Sequence, residues 1–278
     1  MKFTIGEITA DSGARSGWIL AALSDWLSLP QSKADETERP QAHGLFDPGT
    51  DWRTGAGFTA TLSYRGETPG EVEQAVRELK AMASTDDLVR CVVETELGTT
   101  WRKVSIRKID IPGLTFMGFM KGIALDLLAP DPVAYGVESS VSTGLPAPGG
   151  GVAFPVGFPV GFGAAGVDGR ARFTNEGTAP ASVRFRVSGG LPDGFSLRCV
   201  ETGDVLTFRR PVASDDYVLL DSSDGSALLN GVSPVSGYLT DDDWWQVGPG
   251  ETCTVQFTSL GGVQGSPLLV LSGSPAYF

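Results

Sequence analysis

The 278-residue chain holds one histidine and three cysteines, and these set the limits of its chemistry. His43 stands beside Gly44, with no Cys or second His nearby to share a metal. A Ser-His-Asp mechanism would have to use His43 as its base, and no Gly-x-Ser-x-Gly elbow presents a serine to it. The bland reading is a loop residue that bonds locally. Cys91, Cys199 and Cys253 are widely spaced and form no Cys-x-x-Cys pair. They read as reduced, mostly buried thiols. Cys199 and Cys253 could meet across a sandwich, a question the spacing leaves open. No phosphate-binding Gly-x-x-x-x-Gly-Lys loop is present.

Acidic runs are the next candidates. Asp241, Asp242 and Asp243 precede Trp244 and Trp245, and Asp215-Asp216 precedes Tyr217. Paired carboxylates can cleave glycosides or hold Ca²⁺, but the ligand spacing of an EF-hand loop is missing. They read as solvated turn residues, with a Ca²⁺ site at Asp241–Asp243 left open. Trp244, Trp245 and Tyr217 are candidates for stacking on a sugar ring. Within a strand, however, one of two adjacent Trp points inward, so a core anchor plus one surface Trp also explains the pair. The sum is a non-enzyme with no expected cofactor and no assigned metal.

Charge points the same way. The net charge is −12, and both halves are acidic. No basic footprint for gripping nucleic acid is visible, although an acidic wall suits DNA that must pass without sticking. No run of apolar residues is long enough for a membrane span. The opening residues MKFTIGEITADSG lack an apolar signal core. The expectation is synthesis in a cytoplasm, without membrane attachment.

The elements that must position these residues are mostly strands. With 37 Gly and 18 Pro, the chain is too punctuated to be mainly helical. Phe58 to Tyr64 alternates apolar and polar residues, the signature of a half-buried strand. One helix stands out over 68–82. Thr68-Pro69-Gly70-Glu71 forms a capping box with Pro at the first helical position. Val72, Val76, Leu79 and Met82 then make one apolar stripe. Leu88–Thr95, Trp101–Ile111 and Leu114–Leu128 read as strands. Trp18–Leu29 is ambiguous and leans to strand. Residues 32–52 read as a long loop, of the kind that often does interface work.

Ala129-Pro130-Asp131-Pro132 closes a first domain at 1–136. Residues 137–166 form a Gly/Pro-rich arm or linker with a near repeat, GGGVAFPVGFPVGFG, at 149–163. Extended, Phe154, Phe158 and Phe162 share one face, which suits an arm that packs on something. Residues 167–278 then read as short strands separated by turns at Gly189-Gly190, Gly203-Asp204, Asp224-Gly225, Asn230-Gly231 and Pro249-Gly250. Val183, Phe185 and Val187 alternate with Arg184, Arg186 and Ser188. Seven or eight such strands suggest a β-sandwich.

In order and spacing these segments resemble the distal tail proteins (Dit) of siphovirus-type bacteriophages. The segments are His43-Gly44 before a strand and the single helix, the 128–136 stretch LAPDPVAYG, the GGxxFPxxFPxxFG arm, and 173–181, FTNEGTAPA, running to Gly189-Gly190. The resemblance implies a mainly β fold with a tail-tube-like N-terminal β-barrel or sandwich carrying one helix. A C-terminal galectin-like jelly roll would follow. It also implies a structural virion protein whose homohexameric ring joins the tail tube to the tail-tip or baseplate hub proteins and leaves a channel for DNA. The partners are then copies of itself, the tail tube protein and the hub. The alternative is a carbohydrate-binding tail module that contacts host-wall glycans through the sandwich. The stretch 30–57 matches no named pattern.

Overall fold

A computed structural model describes residues 1–34, 37–47, 49, 52–85, 87–113, 118–149 and 166–278. The chain divides into two compact units, Met1–Gly136 with Tyr277–Phe278, and Val137–Ala276. The first holds β1 (Lys2–Ile5), β2 (Ile8–Asp11), β3 (Gly17–Ser24), β4 (Ala56–Arg65), α1 (Pro69–Ala83), β5 (Val89–Thr95), β6 (Gly98–Asp110), β7 (Phe119–Ala129) and β8 (Ala134–Tyr135). Leu114 to Met117, expected at the start of β7, lie outside the described residues.

These strands form one sheet in the order β2-β1-β5-β6-β7-β4-β3, with antiparallel pairings. The sheet curls until β3 comes beside β2, yet the two do not hydrogen-bond. It is a half-barrel, where the family resemblance implies a tail-tube-like β-barrel or sandwich. The two ends of the order are unequal strands, β2 with four residues and β3 with eight.

Strand β4 shows how sequence becomes core. Ala56, Phe58, Ala60 and Leu62 are buried while Gly57, Thr59 and Thr61 between them are not. The alternation slips at Ser63, where β7 bulges at Gly122 (φ +81°), whose N–H donates to Ser63 Oγ. Positive φ is cheap only for glycine, and the extra residue turns Tyr64 partly outward. Helix α1 buries Val72, Ala75, Val76 and Leu79. Thr68 caps it by accepting from Glu71 N–H at 3.4 Å. The expected return bond is displaced by one residue, since Glu67 N–H donates to Glu71 Oε2 at 2.9 Å.

The second unit begins with β9 (Ser139–Gly144), inside the stretch read as arm or linker. It continues with β10 (Arg170–Thr174), β11 (Val183–Gly190), β12 (Phe195–Cys199), β13 (Val205–Phe208), β14 (Tyr217–Asp221), β15 (Ser226–Leu229), β16 (Ser233–Pro234), β17 (Leu239–Asp242), β18 (Thr252–Ser259) and β19 (Gln264–Gly273). Two sheets result, β10-β18-β12-β13-β17 and β16-β15-β14-β11-β19-β9. Their buried faces supply Phe173, Phe195, Phe208 and Phe257 from the first and Phe185, Leu220 and Leu271 from the second, a β-sandwich core.

Gly189-Gly190 is not the expected turn. β11 runs through it with a register shift against β19. Gly189 has φ +101°, and a Cβ there would lie 2.7 Å from the Pro267 backbone, so glycine permits a close strand crossing. The final strand, β20 (Ala276–Tyr277), pairs with β8. Among the described residues no helix is long and apolar enough to cross a membrane.

Candidate functional site

The connection from β3 to β4 carries the most exposed apolar surface of the first unit. Leu27 is 90% exposed and Trp52 71%, with Leu29, Leu45 and Phe46 also outside. Read as a loop, this stretch is a ladder. Lys33 N–H donates to Trp52 O, Thr54 to Gln31 O, Phe46 to Thr37 O and Arg39 to Gly44 O. The bridges Ser32–Arg53 and Glu38–Leu45 are antiparallel. The arm therefore runs out and back as an irregular hairpin, with His43 exposed beside its tip. Backbone bonds hold its shape, the Arg39 guanidinium lies 5.7 Å over the Phe46 ring, and Leu27, Leu29 and Trp52 stay exposed.

The base of the arm is fixed by Trp26. Its indole is buried and meets Phe58 edge-on at 4.9 Å. The Arg102 guanidinium stacks on it at 4.6 Å, and Arg102 Nη1 donates to Trp26 O at 2.9 Å. Arg102 is itself buried, and burial lowers its pKa against the pull of Cys91 and Asp131. Burial pushes the neighbouring Cys91 thiol up to about 12, with Arg102 opposing, so the thiol stays neutral.

The 128–136 stretch acts as a clasp on the same unit. Asp131 accepts from Val133 N–H and from the Tyr135 hydroxyl, and burial together with that bond raises the tyrosine pKa. Tyr135 packs on Trp101 at 5.1 Å, and Trp101 Nε1 donates to Gly136 O. An open groove of about 1090 Å³ lies between the β1–β2 turn, β3 and α1, with Trp18, Tyr64 and Met82 on its walls and Glu71 and Glu78 on its rim.

In the second unit, FTNEGTAPA centres on Asn175, which is fully buried. Its Nδ2 donates to Ala179 O, Val247 O and Gly248 O at 2.7–3.2 Å. Its Oδ1 accepts from Gly177 and Ala276 N–H at 3.0 and 3.2 Å. One amide thus ties the opening turn, the 247–248 segment and the last residue of the unit together.

The remaining sequence candidates separate. Trp245 is buried, tilted on Phe185 at 5.2 Å. Trp244 is half-buried over Gly225. Tyr217 lies at the other end of β14, its ring covered by the Arg186 guanidinium at 4.1 Å. The three therefore share no single stacking face. Asp241 and Asp242 lie exposed on the edge strand β17, with exposed Asp243 just after it. Among the described residues none of the three, and not His43, belongs to a group of three metal-capable side chains. Phe154, Phe158 and Phe162 lie outside the described residues. The flanks of that segment are paired, with Ala147 and Val167 exchanging two backbone bonds at 2.9 and 3.0 Å.

No protein-family model matches the sequence, and none of the curated proteins does. Solved structures do match. The SPP1 Dit protein (gp 19.1), described as a paradigm of the hub adsorption apparatus in phages infecting Gram-positive hosts, superposes with TM-score 0.66 at 11% identity. The match covers 98% of this chain and 97% of that one. Chains of the phage p2 baseplate in its activated conformation, with Ca and with Sr, give 0.56 and 0.55 at 12% identity, covering 97% of both chains. The chain therefore has the fold of phage Dit and baseplate proteins, carried over nearly its whole length at low sequence identity.

Proposed function

We propose that the chain is a structural virion protein of a phage tail, one subunit of a ring that joins the tail tube to the tail-tip or baseplate hub. The observation that carries this reading is the end-to-end likeness to SPP1 Dit, which covers 98% of this chain and 97% of that one. A likeness confined to the sandwich would speak only for a common fold. On this reading the chain sits in a virion tail, with six copies around a channel. The C-terminal sandwich is read as a galectin-like jelly roll.

Two features of this chain support the role. The hairpin arm offers Leu27, Leu29, Phe46 and Trp52 to a neighbour, as a repeated heterologous contact requires. The net charge of −12 suits a wall past which a phosphate backbone slides. The chemistry needed is therefore mechanical: self-association, docking and passage, with no catalytic step. The glycan-binding alternative draws no support from the separated positions of Trp244, Trp245 and Tyr217.

Light scattering on the full chain tests the reading. At tens of micromolar it should give a discrete species of about six times the 29.2 kDa chain mass. A strict monomer across the concentration range counts against it.

A further inference from the structure

The interior end of the β12–β18 pair holds a side-chain cluster that the hub role does not use. In the ladder Cys199 sits opposite Val255, so Cys253, two residues earlier, lies diagonally on the same face. Glu201, two residues after Cys199, shares that face across the 200–202 turn. Cys199 and Cys253 are buried, and Glu201 is exposed. They are neighbours within one sheet, where the sequence had suggested a meeting across the sandwich.

Their spacing is that of a metal's ligand shell. Cys199 Sγ and Cys253 Sγ are 3.7 Å apart, Cys199 Sγ and Glu201 Oε2 are 3.5 Å apart, and all three ligand atoms lie within 4.8 Å of one another. On a tetrahedral zinc, two thiolate sulfurs stand ~3.8 Å apart, and a sulfur and a carboxylate oxygen ~3.5 Å. The surroundings are also suited to bound ligands. Thr254 N–H holds Glu201 Oε2 at 2.8 Å, and Trp245 Nε1–H points at Cys253 Sγ at 3.2 Å. A buried indole N–H gains little from a neutral thiol, a weak acceptor, and far more from a metal-bound thiolate.

The geometry points to a zinc-class site, in which Cys199, Cys253 and Glu201 bind one thiophilic divalent ion and leave a fourth position to solvent on the Glu201 side. Binding releases the two thiol protons to solvent and forms two metal–sulfur bonds and one metal–oxygen bond. The ion would staple the β12–β13 turn to β18. This inference stands apart from the hub reading and does not depend on it.

The test is cobalt and zinc titration of the reduced, full-length protein. Cobalt should give a sulfur-to-metal charge-transfer band and tetrahedral visible bands at one equivalent, and zinc should displace them. Glu201→Gln, an exposed change that leaves the fold intact, should weaken zinc at least ten-fold. Trp245→Phe should weaken it about 10–100-fold. Cys199→Ser should abolish the charge-transfer band. A thiol count, made on denatured protein, is the control. Three free thiols with no charge-transfer band would overturn the site. So would a Cys199–Cys253 disulfide that, once reduced, still takes up no metal.

Discussion

Replacing Asn175 by Ala removes both donors and the acceptor that close the second unit. The Gly177 and Ala276 N–H groups lose the acceptor they share. Val247 O keeps a donor from Ala181, while Ala179 O and Gly248 O lose the amide. Each buried orphan costs about 1–3 kcal/mol, and water entering the space left behind recovers part of that, so a net loss of about 3–5 kcal/mol is expected. Asn175→Asp should be worse near neutral pH, because a carboxylate would face three carbonyl oxygens. Hydrogen exchange on the full chain reads the effect locally. Amides of β10, β18 and β19 should lose protection by that amount, while those of β5 and β6 hold theirs. A loss under ~0.5 kcal/mol, the range of ordinary surface changes, would refute the reasoning. So would a loss spread equally over both units.

Three further outcomes follow from the same structure. Arg102→Ala removes a buried hydrogen bond to Trp26 O and the stack on its ring, and should cost about 2–3 kcal/mol in urea melts, with Trp26 fluorescence shifted to the red. Burial raises Cys91 from 9.0 to about 12, so the unfolded chain releases that proton first as pH rises. Its contribution is complete below pH 9 and is lost between 9 and 12, so urea midpoints should fall across that window and Cys91→Ala should flatten the fall. The double change Leu27→Ser, Trp52→Ser alters only exposed side chains. The melting temperature should be unchanged in dilute protein, while the assembled species in light scattering disappears.

Parts of this structure were legible because they obey short-range rules. The cap and stripe of α1, the alternation of β4 and the two-faced β11 each follow from residues within one element. The β1–β2 hairpin also carries a local signal, since Gly6-Glu7 is a two-residue turn with Gly6 at φ +56°, between KFTI and ITAD. A Gly-first turn between short alternating runs is a usable signal. The arm at 31–54 hid its ladder among Pro, Gly and polar residues, whose pairing depends on register and not on composition. The role of Asn175 is hidden, because nothing local shows that its partners sit 72 and 101 positions away. Cys199 and Cys253 are 54 residues apart, and only the β12–β18 register joins them. Gly189-Gly190 looked like a turn because glycine marks close approach as well as reversal.

The proposed role requires a closed ring with an open channel, built by copies of this chain. Class averages of the full-length protein by negative-stain electron microscopy test it most directly. Closed rings of six subunits around a central hole are the predicted result. Isolated single subunits, or open filaments from a contact that does not close, would contradict it.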